Sequence, residues 1–554
     1  MLFGYLFVKF CNMKEILNDN KYLIILWVLC IAGLIFFTGH YNGILIDFGR
    51  EVYYPERLLE GKILYKDLFN IYGPLSYQIN AVLYKIFGAK LSTLYAAGAV
   101  CSLLTVSGVY LIAQKFLSKF LSFCIGIFTI TVGVATTSIF NYHFPYSWAV
   151  LYGLIAFLFS LFFLLKYNES KKSSDLCISS FLAGFCIANK YDFLLYALVV
   201  LFFIIKSKDL KAFLCFIIAP MISFGILFIQ GLRLPDILNS LAIVKSMANS
   251  KTLIYFYENS GIYFHPKVIP TVLLFFMKTA VPFTGILLGA HLYDKSKVAS
   301  LSFSVIGYLA AIWFVTENIK IVFGFLPILI TIMAAASFKK LNSNLLILVI
   351  SAIAACAKVF WVLIIQGYGS YYVSIALIAL MALLFTLLPK KLEKSTGIYL
   401  LVVSALILII NINGELFDSS KITTNKGTIY TNKSIADSSN RLIEYINKNT
   451  DKNDKIVIFP EGMTINFLTD RKADDFYNSL LPLYTESLGE NKIIEHYKIQ
   501  QPEYIIFNNL NMKDYYFNYI CQDYALDFCG YVQENYNLEH VIDTDFRYLI
   551  FKRK

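Results

Sequence analysis

Long apolar stretches recur along the first three quarters of this 554-residue chain, and they constrain its fold more than any other feature. Hydrophobic residues make up 58% of the chain and charged residues only 15%, whereas soluble globular domains carry about 25% charged residues. The composition predicts an all-α polytopic membrane bundle of about 13 transmembrane helices. The stretches of helical length are 22–38, 91–112, 120–138, 147–165, 176–189, 193–205, 212–230, 268–290, 299–316, 321–337, 344–364, 372–388 and 397–412.

Lysines cluster at every second connection between these stretches. Cytoplasmic connections of membrane proteins carry an excess of lysine and arginine, so we place all seven in the cytoplasm. Residues 1–20 then form a cytoplasmic tail, 21–412 the transmembrane domain, and 413–554 an extracytoplasmic domain, in a plasma (inner) membrane of the bacterial type. Because the lysines occupy short connections, the net charge of +11 does not point to nucleic acid. The clusters are Lys14/Lys21, Lys115/Lys119, Lys166/Lys171/Lys172, Lys206/Lys208/Lys211, Lys295/Lys297, Lys339/Lys340 and Lys390/Lys391/Lys394.

The segment 175–207 tests this alternation. A single long helix would put two lysine-rich connections on opposite faces, whereas two short helices meeting at Lys190-Tyr191-Asp192 keep both inside. Helices of about fourteen residues cover only about 21 Å of the roughly 30 Å apolar core, so their shared tip is expected in a water-accessible recess. At the other end, residues 1–12 are interpreted as an upstream start before Met13 or as a short interfacial segment.

Residues 413–554 are polar and change between helical and strand patterns, which predicts an α/β domain. Helices are expected at 436–449 and 524–535, and strands at 455–459, 504–507 and 547–551. The two cysteines of this domain, Cys521 and Cys529, are eight residues apart, and we expect a disulfide because the outer compartment is oxidising. Two unpaired thiols are the alternative. Zinc-binding spacings are absent from the sequence, so a zinc site is not expected.

The first outer loop, 39–90, carries acids, bases and tyrosines that a helical bundle does not need, and such charges near a bilayer usually have a function. Asp47 just after the first span, Arg57-Leu-Leu-Glu-Gly61, Tyr65-Lys-Asp67 and Tyr72-Gly-Pro-Leu75 resemble the GT-C superfamily of membrane glycosyltransferases. The pattern is most similar to enzymes of the dolichyl-phosphate-mannose–protein mannosyltransferase type (family 39), to which the lipid A aminoarabinose transferase is related. The segments 141–147, 182–190 and 460–468 look similar to later parts of that group.

The resemblance implies transfer of a sugar from a polyprenyl-phosphate-linked donor to a lipid, glycan or protein acceptor outside the membrane. Asp47 is the candidate general base for the acceptor, with Asp67 and Glu51 as second candidates. Many relatives carry two adjacent acids in this loop, whereas Phe48 follows Asp47 here, so the role of the second acid is vacant or has moved to Glu51. The alternative is that Asp47 only caps a helix or pairs with Arg50.

Fixed cations are needed to stabilise the departing lipid phosphate. Four lysines are candidates, and snorkelling towards the interface is the simpler reading for some of them. Tyrosines of the first loop are candidates for stacking on sugar rings, although aromatic belts at the bilayer surface are commoner. No metal ligand or cofactor is assigned, and a requirement for a divalent metal is left open. The phosphate candidates are Lys190, Lys278, Lys66 and Lys358; the candidate substrate-binding residues are Arg50, Tyr65, Tyr72, His143 and Asp192.

Two other functional classes remain. A flippase or another transporter of lipid-linked sugars would share the many spans, but transporters tend to have paired halves with matching broken helices, and only one broken pair is expected here. A polymerase or ligase of surface glycans would place its largest active loop late in the chain, whereas the first loop and the 231–267 loop dominate.

Overall fold

The structure is a computed structural model that describes residues 13–259, 291–357, 369–412, 419–474 and 476–554, with a few single positions at 270–289 and residue 416. The N-terminal residues 1–12, Lys278 and Lys358 therefore lie outside the described residues. The helices up to residue 411 are α1 Met13–Phe37, α2 Phe48–Leu59, α3 Leu75–Phe87, α4 Leu91–Ala113, α5 Lys119–Gly133, α6 Trp148–Ser170, α7 Ser173–Asn189, α8 Leu194–Ser207, α9 Leu210–Gln230, α10 Leu234–Ala248, α11 Lys251–Asn259, α12 Lys297–Ala336, α13 Ser343–Ala355, α14 Gly369–Leu387 and α15 Leu392–Asn411.

Five helices of the described residues are long and apolar enough to cross a membrane. They are Asn20–Phe37, Leu91–Ala113, Trp148–Ser170, Leu210–Gln230 and Leu392–Asn411, and shorter apolar helices lie among them. A helical membrane bundle is therefore confirmed. The number of spans predicted from the sequence stays a prediction, apart from one correction.

That correction concerns the two spans predicted at 299–316 and 321–337. The structure has one continuous helix, α12, of 40 residues in their place, so the outer connection expected at 317–320 does not exist. The charges of Glu317 and Lys320 suggested a loop, but both are good helix formers, and residues 311–323 contain neither glycine nor proline. At 1.5 Å per residue, α12 is about 60 Å long, roughly twice the thickness of the apolar core.

The short helix pair is confirmed. The helices α7 and α8 have 17 and 14 residues and are joined by Lys190 and a single 3₁₀ turn, Tyr191–Phe193. The first outer loop packs onto this tip, because the backbone N–H of Gly73 donates to the carbonyl of Asn189 at 2.9 Å. A Cβ at Gly73 would lie 2.1 Å from the carbonyl oxygen of Ala188, so only glycine permits this approach.

The C-terminal domain is an α/β unit, as predicted. It contains β1 Ser419–Thr424, β2 Gly427–Asn432, α16 Lys433–Asn449, β3 Ile456–Phe459, α17 Met463–Thr469, α18 Pro482–Leu488, α19 Glu490–Gln500, β4 Tyr504–Asn508, α20 Leu526–Asn535, β5 Tyr536–Ile542 and β6 Tyr548–Arg553. The main sheet has the order β3-β4-β6-β5; β3 and β4 are parallel, and the other pairs are antiparallel. The Cys521–Cys529 disulfide is present, which confirms that prediction. The hairpin β1–β2 and the helices α17 to α19 were not predicted.

The first outer loop lies against this domain. Gly49 of α2 meets α17 so closely that a Cβ there would lie 2.5 Å from the backbone nitrogen of Thr464. The hydroxyl of Tyr53 accepts a hydrogen bond from the backbone of Ala473 at 2.8 Å, and Lys426 forms an ion pair with Glu56 at 2.6 Å. The fold thus holds α2 between the membrane helices and the C-terminal domain.

Candidate active site

Asp47 stands immediately before α2 in a strained backbone conformation. Its φ is +62° and its ψ is −39°, a conformation with positive φ that lies outside the αL region and that non-glycine residues seldom adopt. Its carboxylate lies 2.9 Å from Nη1 of Arg50 and is 29% exposed. Strained residues of this kind tend to cluster at functional sites. The predicted pairing with Arg50 is therefore present, and it leaves the carboxylate partly open to solvent.

Arg50 is buried and holds several groups at once. Its Nε donates to Oε1 of Glu51 at 3.2 Å and to the hydroxyl of Tyr77 at 3.1 Å, and Nη2 donates to the carbonyl of Tyr146 at 3.4 Å. The guanidinium carbon also lies 5.3 Å from the centre of the Tyr72 ring, within range of a cation–π contact. These contacts fix the guanidinium beside Asp47.

Glu51 is completely buried, and both of its carboxylate oxygens accept hydrogen bonds. Oε1 accepts from Tyr77 at 2.9 Å and from Arg50, and Oε2 accepts from the backbone N–H of Trp148 at 2.9 Å, at the first residue of α6. Burial raises the pKa of Glu51, while Arg50 and these hydrogen bonds act in the opposite direction. With both oxygens occupied by protein donors, Glu51 is suited to holding Arg50 and the start of α6 in place rather than to accepting a proton from a substrate.

Lys190 meets this cluster from the tip between α7 and α8. Its buried Nζ donates to the hydroxyl of Tyr146 at 2.6 Å and lies 3.7 Å from a carboxylate oxygen of Asp192. It also lies 4.8 Å from the centre of the Tyr72 ring, the same ring that Arg50 contacts. Of the four predicted phosphate ligands, Lys190 thus joins the cluster. Lys66 is exposed, and the other two lie outside the described residues.

The remaining predicted residues make local contacts in the described part of the chain. Asp67 accepts a hydrogen bond from the backbone of Ile63 at 2.9 Å and closes a turn within the first loop. The buried hydroxyl of Tyr65 donates to the carbonyl of Tyr72. His143 is completely buried 3.3 Å from the hydroxyl of Tyr41, and burial lowers its pKa to about 4, so its imidazole is neutral at pH 7.

The C-terminal domain adds an acid that the sequence reasoning missed. Glu461 follows Pro460 directly after the buried strand β3, and its Oε2 accepts the backbone N–H of Asp47 at 3.0 Å. Burial and the charge of Asp47 raise the pKa of the Glu461 carboxyl to about 7, while Ser479, the Asp47 N–H and Arg50 oppose the shift. A signal existed, because acids at the carboxyl end of a buried parallel strand often lie in a ligand crevice.

A small cleft runs between the first loop and the C-terminal domain at this point. Burial raises the pKa of Tyr484 on α18, and the charges of Arg50, Glu461 and Asp47 also act on it. Within the described residues, no group of three or more His, Cys, Asp or Glu side chains could hold a metal ion. The cleft is lined by Arg50, Tyr54, Phe69, Asn70, Ile71, Glu461, Met463, Phe476, Asn478, Ser479, Tyr484 and Leu488.

Among solved structures, the chain is similar to ArnT from Cupriavidus metallidurans bound to undecaprenyl phosphate, with 11% identity, a TM-score of 0.49 and coverage of 96% of this chain and 98% of that one. It is also similar to the oligosaccharyltransferase of Archaeoglobus fulgidus, with 13% identity, a TM-score of 0.47 and coverage of 88% and 68%. No family model and no curated protein matches the chain.

Proposed function

We propose that this membrane protein transfers a sugar from a polyprenyl-phosphate-linked donor to an acceptor on the outer face of the membrane, with Asp47 as the general base. One observation carries the proposal: a partly exposed carboxylate, that of Asp47, pairs with the buried Arg50, and the buried Lys190 contacts the same Tyr72 ring as Arg50. General-base catalysis needs a carboxylate that the acceptor can reach, and the departing phosphate needs fixed cations that stabilise its charge.

The transfer follows from this arrangement. The acceptor hydroxyl or amine gives its proton to the carboxylate of Asp47 as its oxygen or nitrogen bonds to the anomeric carbon. The bond between that carbon and the phosphate oxygen breaks, and its electron pair leaves with the polyprenyl phosphate. Arg50 and Lys190 meet the charge that develops on the phosphate, in a buried setting where such interactions are stronger than in water.

The same proposal assigns supporting roles. Glu51 holds Arg50 through its bond to Nε, and Tyr72 and Tyr146 hold the two cations near each other. The topology that fits has a cytoplasmic N-terminus and the bundle in the plasma membrane, with the first loop and the C-terminal domain together outside because α2 packs against α17. Lys295/Lys297 and Lys339/Lys340 lie at opposite ends of α12, so they do not share one face as the lysine alternation predicted. Lipid, glycan and protein acceptors, and hexosyl and pentosyl donors, all fit this chemistry.

The test is transfer by purified protein in lipid nanodiscs, supplied with a panel of polyprenyl-phosphate sugars and acceptors. We expect Asp47→Asn to lower kcat by about 100-fold or more, because general-base catalysis contributes on that order. Glu60→Gln is the matched control, since Glu60 is an exposed acid just after the same helix. Undiminished transfer by Asp47→Asn would remove Asp47 as the base. Wild-type protein that, in sealed vesicles, moves lipid-linked sugars across the membrane without transferring them would support the transporter alternative.

A further inference from the structure

The C-terminal domain brings a second carboxyl group to the catalytic aspartate. Glu461 and Asp47 are separated by 414 positions in the chain, yet the Glu461 carboxyl binds the Asp47 backbone N–H at 3.0 Å. The domain is held in this place by Gly49 against α17 and by the Tyr53–Ala473 hydrogen bond. The residue next to Asp47 in sequence is Phe48, so the first loop itself supplies no adjacent acid.

We propose that Glu461 is a positioning residue that must be protonated for the anionic donor to bind, and that its ionisation at higher pH weakens donor binding. This inference rests on the proposed function. The protonated carboxyl still accepts the Asp47 N–H and adds no charge. The ionised carboxylate adds a negative charge at the site where the donor phosphate must approach Arg50, and it competes with the donor for that cation.

The surroundings of Glu461 support this role. Asp47, just before α2, and Arg50 within α2 are the charged groups that face Glu461 from this side, and Tyr484 faces it from α18. Burial, the charge of Asp523 and the charge of Glu461 all raise the pKa of Tyr524. The backbone carbonyl of Glu461 accepts a hydrogen bond from Asn508 of β4 at 3.1 Å. Burial and the Asp47 charge both favour the protonated form, so that ionisation falls near neutral pH.

A phosphodiester-linked donor keeps a single negative charge over this range of pH, so the donor itself does not titrate. Asp47, Arg50, Glu51, Lys190 and Asp192 together carry one net negative charge when all five are ionised. Ionisation of Glu461 doubles that net charge in a buried cluster, where charges are screened less than at the surface. The donor KM, rather than kcat alone, is therefore the quantity that should respond to pH.

The experiment measures donor KM and kcat between pH 6 and pH 9 for purified wild-type protein with the polyprenyl-phosphate sugar that supports transfer. We expect the wild-type KM to rise by about tenfold across this range, as like charges at a binding site oppose an anion. Glu461→Gln should show a flat KM at the level that the wild type has at low pH. Glu486→Gln is the matched control, because the pKa of Glu486 is lowered by its bonds to Thr252 and Lys251, against the effect of burial, so it stays ionised.

A second variant tests the inference without changing Glu461. The hydrogen bond from Ser479 lowers the pKa of Glu461, so Ser479→Ala should move the rise in KM to higher pH. A wild-type KM that does not change with pH, or a rise that persists in Glu461→Gln, would overturn this inference while leaving the proposed function intact. Absence of transfer with every polyprenyl-phosphate donor would overturn both.

Discussion

At the scale of single residues, the candidate site consists of charged side chains that fix one another's positions through ion pairs and hydrogen bonds. Arg50 binds Asp47, Glu51 and Tyr77, and each contact limits where the guanidinium can move. Asp47 differs from its neighbours in being both strained and partly exposed, whereas Glu51 is occupied on both oxygens. The catalytic assignment therefore rests on exposure and geometry rather than on the presence of an acid in the loop.

The buried Glu461 also makes a prediction about stability. Its carboxyl pKa is raised from 4.5 to about 7 in the folded protein, so the folded state holds this proton more tightly than the unfolded state. That stabilisation is fully present below about pH 4.5 and is lost as the pH rises through 7. The side chain of the Glu461→Gln variant cannot ionise. Its melting temperature should therefore exceed that of the wild type, by a difference that grows as the pH rises from about 4.5 to about 7.

The measurement is thermal unfolding in detergent at a series of pH values. Glu486→Gln serves as the control of opposite sign, because the pKa of Glu486 is lowered in the folded protein. That variant should melt below the wild type at neutral pH, and the difference should close as the pH falls. A constant offset between Glu461→Gln and the wild type at all pH values would contradict the predicted titration.

At the scale of elements, close backbone approaches decide where the first loop lies. Gly49 brings α2 against α17, and Gly73 brings the loop against the tip of α7. The sequence predicted the tip, because the lysine pattern required two short helices there. It did not predict α17 or its contact with α2, because no periodicity relates segments so far apart. The sequence also predicted two spans in place of α12, because the charged residues Glu317 and Lys320 inside an apolar run resemble a connection between helices.

Gly49→Ala tests this packing. The added Cβ would lie 2.5 Å from Thr464 N and 2.8 Å from Met463 Cβ, so α17 must move away from α2 and carry Glu461 with it. We expect a lower melting temperature and reduced transfer. Gly43→Ala in the same loop is the matched control, since a Cβ there meets no atom within 4 Å. Equal melting temperatures and transfer rates for the two variants would show that the α2–α17 contact does not hold the site.

At the scale of the whole molecule, the candidate site lies where three distant parts of the chain meet: the first outer loop, the tip between α7 and α8, and the C-terminal domain. The apolar composition predicted the helical bundle, and the first-loop motif singled out Asp47 as the candidate base, because both are local properties of the sequence. The meeting of Asp47 with Glu461, and of Arg50 with Lys190 around Tyr72, is a property of the assembled fold. The pattern of residue types along the sequence does not predict such contacts between distant segments.

The central claim is that the lipid phosphate binds at Arg50 and Lys190, beside Asp47. The most direct measurement is an electron cryomicroscopy structure of the protein in nanodiscs with undecaprenyl phosphate. The account predicts phosphate oxygens about 3 Å from the Arg50 guanidinium and the Lys190 ammonium, the usual length of a charge-assisted hydrogen bond. A phosphate bound at the opposite end of the bundle, or within the outer cleft but away from both cations, would contradict it.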